Sequence, residues 1–125
     1  MANIPVALVS TGQEGRNRLY KWTGITDADV CLPLNVYGSS DLTFEIAGTI
    51  GAPAAVVALQ GCMQPDVVES SRTYTTLQRG DGITALSFSA LGVFEVLQIP
   101  IFVKPLVTVG TAESVNVYVK VGYRY

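Results

Sequence analysis

Asp27 and Asp29, separated by one alanine in a polar stretch, are the pair whose spacing best suits chemistry. Alternate loop carboxylates can supply oxygen ligands to calcium. The sequence around them lacks the glycine and the closing glutamate of an EF-hand loop, so turn capping accounts for the pair at least as well. Arg79-Gly80-Asp81 spells the tripeptide used by integrin ligands, yet Gly80-Asp81-Gly82 is also what a tight hairpin turn requires. Tyr20, Trp22, Tyr37 and Tyr74 could stack on a sugar ring, although aromatic side chains more often anchor a core or a protein interface. Arg16, Arg18 and Lys21 beside Tyr20 and Trp22 form the single basic cluster, and as a lone patch it reads best as a solvated strand face.

The 125 residues contain no histidine, which removes the commonest general base, the Ser-His and Cys-His couples and the commonest transition-metal ligand. A glycosidase would need only two carboxylates, but the spacing of the ten acidic residues favours no pair. The expectation is a protein without enzymatic activity, metal or cofactor. A net charge of −2 supplies no broad positive field, so nucleic acid is not an expected partner. The start has no basic region ahead of an adequate apolar run, and the apolar stretches at 51–59 and 91–103 are too short or too interrupted to span a bilayer, so no membrane partner is expected either. Cys31 and Cys62 sit among apolar neighbours and read as buried, reduced thiols.

None of the segments that hold these residues shows the sustained i, i+3, i+4 apolar spacing of a helix. In the final stretch Val115, Val117, Val119, Val121, Tyr123 and Tyr125 alternate with Asn116, Tyr118, Lys120, Gly122 and Arg124, the period of a strand with one buried face. A second long strand precedes it from about Ile99, after a short polar turn. Ile4 to Ser10 and Asn17 to Thr23 read as edge strands or an extended arm, and Pro33 marks Val30 to Val36 as another edge element. Leu42, Phe44 and Ile46 alternate with polar residues, and Ala54 to Gly61 forms a continuous small apolar run suited to a central strand. Arg72 to Leu77 and Ile83 to Ser89 flank the Asp81-Gly82 turn, and Gly92 leads into Val93 to Ile99. The predicted fold is all-β: an antiparallel β-sandwich or jelly roll of about eight to ten short strands with little or no helix. One domain is expected over residues 1–125, with residues 1–23 as an extended N-terminal arm or edge strands.

The composition is 49% hydrophobic and 14% charged, against about 25% charged in an ordinary soluble domain. Part of so apolar an exterior is expected to be covered by a partner. From Ala54 onward the chain runs through Val57-Ala58-Leu59-Gln60-Gly61, a polar loop, a Thr/Ser-rich strand, Leu86-Ser87-Phe88-Ser89-Ala90-Leu91-Gly92 leading to Phe94, Ile101-Phe102-Val103-Lys104-Pro105 and the closing valine strand. This layout resembles small β-sandwich virion proteins of tailed bacteriophages, which decorate the capsid or form short head fibres. The resemblance implies a structural protein made in the bacterial host cytoplasm that decorates the capsid exterior as a cement protein, with the major capsid protein as partner and a homo-oligomeric state. A carbohydrate- or receptor-binding module and another tail or connector component are the alternatives. The residues expected to meet a partner are Ile4, Val6, Leu8, Tyr20, Trp22, Tyr118, Tyr123 and Tyr125.

Overall fold

Four valines at alternate positions bury completely on one strand, and the rest of the architecture is arranged about it. The structure, a computed structural model, describes residues 3–11 and 17–123. These form twelve strands: β1 (Asn3–Ile4), β2 (Ala7–Thr11), β3 (Asn17–Ile25), β4 (Val30–Cys31), β5 (Leu34–Asn35), β6 (Asp41–Thr49), β7 (Val56–Cys62), β8 (Thr75–Thr76), β9 (Ser87–Phe88), β10 (Gly92–Glu95), β11 (Phe102–Thr108) and β12 (Ser114–Gly122). One 3-10 turn, Glu69–Ser71, is the helical element among the described residues. No helix there is long and apolar enough to cross a membrane.

The strands make two antiparallel five-stranded sheets. The first runs β10-β6-β12-β3-β2; the second runs β5-β11-β7, with β8 and β9 pairing along the far side of β7. A small parallel pair, β1 with β4, lies apart from them. Val115, Val117, Val119 and Val121 of β12 are fully buried with Trp22, Ile25, Leu42, Phe44 and Ile46 of the first sheet. Val57, Leu59, Val103 and Val107 of the second sheet belong to the same hydrophobic cluster. Each such side chain contributes about 1.5–3 kcal/mol on leaving water, which makes this shared interior the main source of stability.

Several expectations need adjustment. The segment Asn17 to Thr23 is not an edge: β3 lies between β12 and β2, and of the first two long strands only β2 is terminal. The region from Val30 to Val36 divides at Pro33 into β4 and β5, and β5 is an edge strand. Arg72 to Leu77 and Ile83 to Ser89 shrink to two residues of strand each: beyond β8 and β9 the pairing breaks into single contacts, Leu77 and Leu86 with Leu59 of β7 and Gln78 with Ala85. The two long closing strands do not pair with each other. The turn between β11 and β12 carries the chain from one sheet to the other, with Val109 and Ala112 in left-handed conformations (φ 51° and 58°).

A bulge in β3 explains how Trp22 and Ile25, three residues apart, both face inward. The register against β12 shifts between these positions, Gly24 adopts φ 69°, and its amide donates to Asn116 Oδ1 at 3.0 Å. One extra residue reverses the alternation of the strand, so the bulge adds a large side chain to the core.

Candidate partner interface

Register places an ordered array of side chains on the outer face of the first sheet. One row crosses all five strands as Ala7, Lys21, Tyr118, Glu45 and Val93; the next runs Ser10, Leu19, Lys120, Thr43 and Glu95. Tyr118 is half-buried at the centre, with the Lys21 ammonium 5.1 Å from its ring centroid. Charges of both signs flank the ring, a pattern suited to a partner surface that is itself mixed and hydrated.

The other expected interface residues fall into different environments. Trp22 has no exposed surface, and its indole Nε1 donates to the Leu32 carbonyl at 2.8 Å. It is a core residue and cannot anchor a partner or support a sugar. Ile4, Val6, Tyr20 and Tyr123 are half-buried against the core, and the Arg18 guanidinium lies 5.4 Å from the Tyr123 ring centroid. Leu8, by contrast, is 54% exposed on β2, a strand whose five residues are all exposed. Tyr125 lies outside the described residues.

The sequence motifs resolve into local structure. Asp29 Oδ2 accepts from the Thr26 amide at 2.9 Å and from its hydroxyl at 3.1 Å, which commits that carboxylate to closing its own turn. Asp81 likewise accepts from the amides of Ile83 and Thr84, both at 2.8 Å, and from the Thr84 hydroxyl at 2.7 Å. Those bonds favour the charged form and hold the Asp81 carboxyl down to about 2. Arg79 leans 5.5 Å from the Phe94 ring centroid. The tripeptide at this hairpin tip is therefore occupied with its own turn rather than extended toward a receptor. Tyr37 is exposed, whereas Tyr74 is partly covered and bonded to Glu69, so the four candidate sugar-stacking rings form no shared platform.

One cluster had no signal in the sequence. On the outer face of the second sheet, Glu69 accepts from the Tyr74 hydroxyl at 2.7 Å, from Arg72 at 3.0 Å and from Lys104 at 3.4 Å. Arg72 stacks 3.8 Å above Phe102, and Lys104 lies 4.2 Å from the Tyr74 ring centroid. Burial pushes the Glu69 carboxyl up, but the three donors outweigh it and hold it below the usual range. Burial and the bond to Glu69 push the Tyr74 hydroxyl up. This clasp folds the segment after β7 back over the sheet. Its members come from three separate stretches, so only the β11 register brings Lys104 to the others. Beneath the same layer Cys62 pairs with Phe102; Cys31 is buried elsewhere, its thiol pushed up to about 12 by burial and by Asp29. A thiol so shifted is not a nucleophile near neutral pH.

The fold has a relative among solved structures. The crystal structure of the SPBc2 prophage-derived protein YomS superposes with a TM-score of 0.58, at 16% identity, covering 84% of this chain and 93% of that one. At that identity the likeness concerns the fold. No protein-family model matches the chain, and no curated protein sequence does.

Proposed function

We propose that this protein is a non-enzymatic structural component of a bacteriophage virion, of the capsid decoration or cement class, which binds and stabilises the shell of major capsid protein. The observation that carries this reading is the fold, shared over 84% of the chain with a prophage-derived protein. An exterior poor in charge and a sheet face with Tyr118 at its centre fit a protein whose task is adhesion to other proteins. The outer rows around Tyr118, Lys21, Lys120, Glu45 and Glu95 are the surface that would lie against the shell. Many copies on one lattice make modest individual contacts strong through avidity.

Mass spectrometry of purified virions that encode the chain, followed by re-addition of purified protein to heads lacking it, tests the reading. The expected result is a high-copy virion protein that co-sediments with heads and raises the temperature at which they release DNA. Absence from virions overturns the proposal. Binding to heads that survives Tyr118→Ala and Lys120→Glu together removes the outer face from it.

A further inference from the structure

The outer face of the first sheet holds opposite charges that do not pair within the chain. In the row Ala7, Lys21, Tyr118, Glu45 and Val93, Lys21 and Glu45 stand on either side of the central ring, two strand spacings or roughly 10 Å apart. Among the described residues the ion pairs are those of Glu69 with Arg72 and with Lys104, and neither Lys21 nor Glu45 joins one. Both are half-buried, so water screens them less than it screens a fully exposed side chain.

Turned end for end about Tyr118, the row places positive charge where negative was. Two copies packed face to face about a twofold axis that runs along β12 exchange β3 with β6 and β2 with β10, and the row stays in line. Tyr118 then meets Tyr118 of the second copy, Lys21 faces Glu45 and Glu45 faces Lys21, and the 60% exposed Val93 covers Ala7. A twofold axis across the strands would set Lys21 on Lys21 and Glu45 on Glu45. The charges therefore also choose between the two arrangements. In the next row Leu19 meets Thr43 and Glu95 meets the Ser10 hydroxyl, while Lys120 stands on the axis. Lys120 is exposed, and its stem is long enough to carry the ammonium clear of its counterpart.

We propose that this face is a self-complementary dimer interface, occupied in the free protein by a second copy packed about a twofold axis along β12. The contact is isologous and closes at two copies. Five strands at about 4.8 Å and some six residues at about 3.3 Å offer roughly 500 Å2 per copy, the low end for a specific contact, so the dimer is weak and exchangeable. The inference does not rest on the virion reading. The face takes either a second copy or a shell, one at a time, and the dimer is measured without heads, so failure of one reading is distinguishable from failure of the other.

Sedimentation equilibrium of the wild type at low salt is expected to show monomer and dimer in exchange. Lys21→Glu and Glu45→Lys each set like charges face to face at two symmetric places, and each variant alone should dimerise on the order of tenfold more weakly. An equal mixture of the two restores opposite charges at both places in the mixed dimer, and the double variant restores them in its own. Both should dimerise as the wild type does, which a loss of folding or of general stickiness would not produce. A wild type that stays monomeric at millimolar concentration overturns the proposal, as do single variants that dimerise normally or a mixture that dimerises no better than its components. Circular dichroism checks that the variants fold. Should either reversal misfold, Tyr118→Glu sets two carboxylates together on the axis, and a dimer that survives it overturns the proposal.

Discussion

At the scale of single residues, burial separates roles that residue type leaves merged. Trp22 and Tyr118 are both large aromatics on neighbouring strands, one sealed in the core and the other on the outer face under Lys21. Trp22→Phe removes the indole donor and leaves the Leu32 carbonyl without that partner. The expected cost is about 1–3 kcal/mol, seen as a lower urea midpoint with an unchanged m-value. Tyr118→Ala should lower stability by no more than about 1 kcal/mol, the range of a cross-strand side-chain pair on a sheet surface. The even spacing of the closing valines was visible in the sequence, because alternation alone decides which face is buried. The fate of Trp22 was not, because it depends on a bulge that glycine permits and no local pattern announces.

At the scale of elements, register decides which side chains meet. The Glu69 clasp draws on the 3-10 turn, the stretch before β8 and the middle of β11, and nothing in the spacing of Glu69, Arg72, Tyr74 and Lys104 reveals that they converge. Glu69→Gln keeps the shape but removes the charge that Arg72 and Lys104 face. At neutral pH the variant is expected to let a maleimide reach Cys62 several-fold faster, as the covering layer opens more often. Acid should act similarly on the wild type. The Glu69 carboxyl is held below its ordinary range in the folded protein, so the clasp is complete above the unfolded pKa and is lost as pH falls through the depressed folded value. Tyr74 ring signals in NMR should follow that titration, with a midpoint below that of an ordinary glutamate. A midpoint at or above the ordinary value would show that the three donors do not govern the carboxyl. Strand positions for β6, β7 and β12 were largely legible, since each spans a long patterned run. The sequence overstates β8 and β9, because the β-forming residues around them make isolated bonds to β7 and to each other rather than a continuous ladder.

At the scale of the whole molecule, fold class followed from composition and periodicity, while topology did not. The polar turn after β11 looks in the sequence like any link between neighbouring strands, yet it moves the chain between sheets. Topology of this kind carries a kinetic signature. With β3 paired to β12 and β6 paired to β12, the first sheet depends on contacts between distant parts of the chain. Refolding from urea is expected on a scale of roughly milliseconds to seconds, as for other folds built from non-local strand pairs. Stopped-flow fluorescence of Trp22 reports it, and microsecond refolding would contradict the picture.

The position of β12 between β3 and β6 also sets an order of events during translation. Ile25 is made 89 residues before Ser114. At a synthesis rate of about 5–20 residues per second, β3 waits roughly 4–18 s for the strand that will shield it. Through that interval the nascent chain carries Trp22, joined by Phe44 and Ile46 as they are made, with the first sheet still incomplete. Whatever keeps this protein from aggregating on the ribosome acts before its central strand exists.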